Sequence, residues 1–271
     1  MSVSLEERFP RPSVVGIVNV TPDSFSDAGV HFAAVDAVAG ARRMVAEGAA
    51  LVDVGGESTR PGSEGTSLDE ELRRVEPVLA EIAGELPVSI DTAKAEVARR
   101  ALAAGAVMVN DVTALRADPD LAGVVADGGA CLCLMHMLGE PRTMQVDPRY
   151  DDVVSEVAAF LEERLAFAVA QGIPEERIAL DPGIGFGKTV EHNLELLARL
   201  DEIVALGRPV LVGASRKRFL GRVLGDEAAL TGPVTVSVAA SLVAFARGAT
   251  LFRVHDVAPH VRALGAAQVA A

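Results

Sequence analysis

Two cysteines, a shortage of basic residues and the lack of any long apolar run set the first bounds on this 271-residue chain. Cys131 and Cys133 stand one residue apart, which in a strand puts both on one face; neither a zinc knuckle nor a redox Cys-x-x-Cys has that spacing. They read as a buried, reduced pair. With 25 Lys and Arg against 38 Asp and Glu, the formal charge is −13, so the chain lacks the basic face that a sequence-independent nucleic-acid binder needs. No apolar run reaches the roughly 20 residues of a membrane span, and the polar stretch from Ser2 to Pro12 has no apolar signal core. The expectation is a cytoplasmic protein with neither a membrane nor a nucleic-acid partner. Basic charge gathers locally at Arg216, Lys217 and Arg218, which in an acidic chain fits a small anion, the bland alternative being a solvated turn.

Half of the chain is hydrophobic, enough for a large core, and short β-branched runs alternate with amphipathic, alanine-rich stretches along its length. The runs Val14–Asn19, Leu51–Gly55, Pro87–Asp91, Val107–Asn110, Ala130–Met135, Arg177–Asp181, Pro209–Gly213 and Thr250–Val254 are nearly continuous in apolar character, as parallel strands buried on both faces require. Between them lie helix signals. Ser67 and Glu70 have capping-box spacing before Leu72–Ile82, and Asp118-Pro119 reads as a cap followed by proline at the first helical position. Asp151–Gln171 is a long amphipathic segment ended by Gly172, Arg216–Arg247 is helix-rich, and Asp256–Val269 supplies the last helix. Eight strand–helix units predict an α/β fold of the (β/α)8 TIM-barrel type in a single domain, with residues 1–12 as an N-terminal tail and 13–271 as the barrel.

Polar residues close every predicted strand: Asn19; Glu57-Ser58-Thr59-Arg60; Asp91; Asn110-Asp111; His136; Asp181; Ser215-Arg216-Lys217; Arg253 and His255. In a (β/α)8 barrel these ends converge on the rim that carries the active site. Helix capping explains any one of them but not all together. Generic motifs fail at this rim. Gly183 to Thr189 looks like a phosphate loop, yet Pro182 stands where the first Walker glycine belongs; Gly213-Ala214-Ser215-Arg216-Lys217 looks like a nucleophile elbow, yet Lys217 replaces its second glycine. No zinc cage is visible among the five histidines.

Asp91, Asn110 and Asp181 end three different strands, so they could meet inside the barrel mouth. Carboxylates and an amide there suit a neutral heterocycle with paired N–H donors, such as a 2-amino-4-oxo ring. The structural alternative is that these carboxylates cap helices or pair with Lys94 and Lys188. Arg253 and His255 face one side of the last strand, near Ser215-Arg216-Lys217, in the usual phosphate-binding corner of this fold. Two loops are longer than a βα connection needs: Thr21 to Gly29, which carries Phe25, and Glu57 to Gly65. Phe25 either folds back onto the rim or belongs to a lid over the reacting centre.

Asn19-Val20-Thr21-Pro22-Asp23-Ser24-Phe25-Ser26-Asp27 and Gly55-Gly56-Glu57-Ser58-Thr59-Arg60-Pro61-Gly62 are followed, in order, by Ser89-Ile90-Asp91-Thr92, Asn110-Asp111-Val112 and Met135-His136-Met137. Asp181-Pro182-Gly183-Ile184-Gly185-Phe186-Gly187-Lys188, Ser215-Arg216-Lys217 and Arg253-Val254-His255-Asp256-Val257 complete the series. From Val14 onward the chain closely resembles the dihydropteroate synthases, the pterin-binding transferases of folate biosynthesis targeted by sulfonamides. The resemblance implies condensation of 6-hydroxymethyl-7,8-dihydropterin diphosphate with 4-aminobenzoate, giving 7,8-dihydropteroate and diphosphate, with magnesium (Mg2+) assisting and a homodimer as the assembly. It implies that Asp91, Asn110, Asp181 and Lys217 hold the pterin. Asn19, Thr59, Arg253 and His255 would line the diphosphate site, with Asn19 as the metal ligand. Phe25, Arg60, Pro61, Phe186 and Ser215 would frame aminobenzoate. Asp91, Asp181, Lys217, Arg253 and His255 would carry the catalytic charge. The loops depart slightly from the family pattern, at Ala28 before Gly29 and at Ser63, and neither departure removes a chemical group.

Three other readings compete. A corrinoid methyltransferase acting on methyltetrahydrofolate shares the barrel and the carboxylates but has no diphosphate to bind, so the Arg253 and His255 corner argues against it. A non-catalytic pterin-binding paralogue keeps the fold without turnover. A Schiff-base aldolase needs a lysine on an inward strand position, whereas Lys94, Lys188 and Lys217 fall beyond strand ends.

Overall fold

The computed structural model describes residues 3–21, 29–60 and 62–270. The β-branched runs form β1 (Ser13–Asn19), β2 (Leu51–Gly55), β3 (Val88–Asp91), β4 (Met108–Asp111), β5 (Cys131–Met135), β6 (Ile178–Asp181), β7 (Leu211–Val212) and β8 (Leu251–Val254). All pair in parallel, in the order β6-β5-β4-β3-β2-β1-β8-β7. A parallel bridge between Leu180 and Val210 joins the two ends and closes the ring. The architecture is a (β/α)8 barrel. The seventh strand is shorter than the sequence suggests, because Pro209 has no N–H to give a ladder and Gly213 already belongs to the turn.

The helices are α1 (Leu5–Arg8), α2 (Gly29–Ala46), α3 (Leu68–Ile82), α4 (Ala95–Ala104), α5 (Leu121–Gly128) and α6 (Val153–Ala170), then α7 (Val190–Ala198), α8 (Leu200–Val204), α9 (Arg218–Val223), α10 (Val234–Ala246) and α11 (Val257–Ala270). Ser67 caps α3 by accepting from the Glu70 amide; the Glu70 carboxylate turns to Arg73 and Arg74, so the box is half formed. Asp118 does not cap the helix that follows it. Its carboxylate accepts from the Ala95 amide at 2.8 Å, capping the neighbouring α4, while α5 starts at Leu121. The stretch 216–247 splits into α9 and α10, with Pro233 at the N-cap of the second.

Alternation along the strands makes two cores. Outward residues such as Val52, Ile90, Leu134 and Leu180 pack under the helices. Inward ones (Val15, Leu51, Met108, Cys131, Cys133, Ala179, Leu211 and Leu251) fill the base of the barrel together with Leu5 and Phe9. Both cysteines are free and buried, as their spacing implies. The described part of the segment expected as a tail, residues 3–12, therefore includes the helix α1, whose Leu5 and C-cap residue Phe9 plug the barrel.

Candidate active site

Two residues further along the inward face, the barrel changes character. Thr59, Asp91, Asn110, Asp181, Phe186, Lys217 and Arg253 line one cavity at the C-terminal mouth, together with Val112, Met135, Ile184 and Gly213. The strands deliver the polar groups. Asp91 and Asp181 are the last residues of β3 and β6, and Asn110 faces them from β4. Arg253 crosses the mouth from β8, donating through Nε to Asp53 Oδ2 at 2.6 Å and through Nη2 to Asp91 Oδ2 at 2.7 Å. Asn110 Nδ2 donates to the same Asp53 oxygen at 2.9 Å, which leaves its carbonyl oxygen to offer a ligand. Asp181 Oδ1 accepts from the Gly183 amide at 2.7 Å, and its second oxygen is available to an N–H donor.

Burial sets the electrostatics. It pushes the Asp91 carboxyl up, while Arg253 pulls it back down. It raises Asp181 to about 6, against the pull of the Gly183 amide and Lys217. It lowers Lys217 to about 8 and His255 to about 4, the neighbouring Arg253 adding to both. For Arg253 burial opposes the charge, but Asp53 and Asp91 hold the group above its ordinary value. At neutral pH the cavity thus holds Asp181 ionised, Lys217 and Arg253 charged, and His255 neutral. Lys217 Nζ lies 3.9 Å from the centre of the Phe186 ring, so that cation and aromatic form one wall.

The Phe186 loop is rigid for backbone reasons. Gly183 has φ +67°, and a Cβ there would meet the His136 carbonyl oxygen at 1.8 Å, so only glycine fits. Lys188, buried beneath the loop, donates to the Gly183 and Phe186 carbonyls at 3.0 Å and meets His136 Nδ1 at 2.9 Å. Burial lowers Lys188 to about 7 and, with Lys188 beside it, His136 to about 2. Lys94 pairs instead with Glu57 and Glu71. Neither lysine bonds Asp91 or Asp181, and the helices that follow have Lys94 and Thr189 at their N-caps, so these carboxylates neither pair with the lysines nor cap α4 or α7.

The anion corner is built in part. The Ser215 hydroxyl accepts from the His255 amide at 3.1 Å and lies 3.2 Å from its Nδ1, so these two residues adjoin. Arg253, on the same strand, points to the two aspartates, and Arg216 forks onto Asp256 at 2.8 and 2.5 Å. Asn19 ends β1 half-buried, and Arg60 is exposed on the β2–α3 loop. Phe25 and Pro61 lie outside the described residues.

Asp53 went unread in the sequence, although a carboxylate inside Leu51-Val52-Asp53-Val54-Gly55, two residues before a strand end, is a legible sign of an inward charge. Glu71 gave no such sign; on an amphipathic helix it reads as one more surface acid, yet it is fully buried.

The pterin binding enzyme family model matches residues 15–255. A dihydropteroate synthase of Neisseria meningitidis serogroup C is 48% identical over 261 residues, covering 94% of this chain and 92% of that protein. A structure of Xanthomonas albilineans dihydropteroate synthase with 4-aminobenzoic acid superimposes with a TM-score of 0.90 at 49% identity, covering 100% of this chain and 98% of that one. The Xanthomonas albilineans enzyme in complex with 7,8-dihydropteroate gives a TM-score of 0.85 at 48% identity, with coverage of 96% and 94%. With its cavity of carboxylates, amide and half-buried cations at the barrel mouth, the chain belongs to the pterin-binding enzymes, as a member of the dihydropteroate synthase family.

Proposed function

We propose that the chain joins 6-hydroxymethyl-7,8-dihydropterin diphosphate to 4-aminobenzoate, releasing diphosphate, by a dissociative substitution. The carrying observation is the single cavity that unites Asp91, Asn110, Asp181 and Lys217 with Arg253. The Asp181 carboxylate and the Asp91 carboxyl oxygens accept the ring N–H groups, Asn110 offers its carbonyl oxygen, and the Lys217 ammonium donates to a ring acceptor. The arylamine is neutral at pH 7 and needs no strong base. The barrier is the C–O bond to diphosphate, whose departure leaves a cationic methylene conjugated with the ring. Asp53, Asp91 and Asp181 gather around the cations Arg253 and Lys217 at the mouth. Carboxylates placed beside the ring favour a cation forming in a low-dielectric cavity.

His255 and Ser215, with Arg253, Thr59 and Asn19, serve the diphosphate; Phe186, Ser215, Arg60, Pro61 and Phe25 serve aminobenzoate. Among the described residues no group of three or more His, Cys, Asp or Glu side chains could cage a metal ion. The donor set fits a magnesium ion carried in on the diphosphate oxygens, with the Asn19 carboxamide oxygen as the protein's hard ligand. Such an ion would neutralise leaving-group charge. We also assign the chain to the cytoplasm and to a homodimer, with α10 and α11 as the helices to test by sedimentation of surface variants. Incubating the purified protein with both substrates and magnesium should give dihydropteroate; folded protein that gives none overturns the assignment.

A further inference from the structure

The β2–α3 loop is fastened by a chain of charged side chains that the reaction itself does not touch. Lys94, just before α4, lies between Glu57, just after β2, and Glu71 of α3; its Nζ contacts the Glu57 carboxylate and lies 2.5 Å from Glu71 Oε2. Glu71 is wholly buried and, through its other oxygen, accepts from the Thr92 hydroxyl at 2.7 Å. Thr92 directly follows Asp91 of the cavity. At the other end of the chain, Glu57 Oε1 accepts from the Thr66 amide at 3.1 Å, so one carboxylate closes the loop that carries Thr59 and Arg60. Gly65, at φ +83°, lets the backbone pass close to that oxygen; a Cβ would stand 3.2 Å from it. The Gly62 amide also donates to the Pro141 carbonyl at 3.1 Å, tying the loop to the segment after β5.

These are not surface ion pairs. Side-chain exposure is 26% for Lys94, 25% for Glu57 and 0% for Glu71, so solvent screening is partial and the pairing directional. We propose that Glu57, Lys94 and Glu71 form a positioning relay that fixes the β2–α3 loop to the end of β3, and so sets affinity for the second substrate, an anionic aromatic amine, while leaving the ring-holding groups Asp91, Asn110 and Asp181 in place. Thr59 lines the cavity and Arg60 stands exposed beside it, so the loop reaches from the ring site to the place where a carboxylate-bearing partner must enter. The inference rests on the synthase reading.

Glu57→Gln tests the relay while leaving the buried Lys94–Glu71 pair intact, so the fold survives. With wild-type turnover established first, this variant should raise KM for 4-aminobenzoate about ten- to a hundredfold, with affinity for a bare 2-amino-4-oxo pterin, which lacks the diphosphate that Thr59 serves, unmoved. Lys94→Met, which strands the buried Glu71 carboxylate, should do the same with an added loss of folding stability, and Lys94→Arg should restore part of both. The Glu57→Gln/Lys94→Met double variant should be no worse than Lys94→Met alone. A Glu57→Gln enzyme with unchanged aminobenzoate KM, or with the bare pterin weakened in step, overturns the relay. No turnover by wild type would instead strike the synthase reading.

Discussion

On the inward face of β2, Leu51 is followed two residues later by Asp53; on β4 Met108 gives way to Asn110, on β6 Ala179 to Asp181, and on β8 Leu251 to Arg253. The lower member of each pair packs against Leu5 and Phe9 in the plug of the barrel, and the upper one builds the mouth. A single strand thus passes from a layer that stabilises the fold to one that strains it, over two residues on the same side. The base gains from removing apolar surface from water, whereas the mouth draws five ionisable groups partly out of water, with Arg253 on Asp53 and Asp91, Asp181 on the Gly183 amide and Lys217 against the Phe186 ring. Stability and chemistry should therefore separate cleanly by layer.

The largest expected effect is at the mouth. Asp181→Asn keeps an acceptor for the Gly183 amide and removes the charge, so kcat/KM should fall roughly 10²–10³-fold while thermal stability holds or rises. Steady-state kinetics beside a melting curve checks both halves, and a variant that lost stability but kept its rate would invert the comparison. Next comes the base, where Leu51→Ala should cost about 2–5 kcal/mol of folding stability and leave kcat/KM per folded molecule unchanged. Denaturant titration measures the first and active-site-normalised rates the second.

The pH profile should show the mouth alone. Asp181, raised to about 6, acts ionised, and Lys217, lowered to about 8, acts protonated. kcat/KM should therefore fall from about pH 7 to below 6 as Asp91 and then Asp181 gain their protons, and fall above about pH 8 as the ammonium loses its own. In Asp181→Asn the acid limb should shrink; an identical profile would remove Asp181 from that role. The smallest effect belongs to neither end: Ser67→Ala, which takes the cap from α3, should cost about 1 kcal/mol and leave the kinetics alone.

Most of the barrel was legible because parallel strands buried on both faces read as apolar runs, and each ran up to its polar terminus. The mouth was legible in the same way through Asp91, Asn110, Asp181, Lys217 and Phe186. What remained hidden depends on direction rather than identity. Arg253 and His255 share a strand face, yet the carboxylate of Asp53 draws the guanidinium toward the ring cavity, while His255 turns to Ser215. Asp118 looked like the cap of its own helix because chain order cannot show that the Ala95 amide lies nearer. Glu71 looked like a surface acid because its burial depends on Lys94, 23 residues away. Helical periodicity and strand ends are local, and these partners are not.

The separation of layers is tested most directly by titrating a 2-amino-4-oxo pterin calorimetrically into the wild type, Asp181→Asn and Leu51→Ala. The mouth should bind it one to one, with affinity weakened about 10- to 100-fold in Asp181→Asn and untouched in Leu51→Ala. Equal affinity in the wild type and Asp181→Asn, or a loss confined to Leu51→Ala, would contradict it.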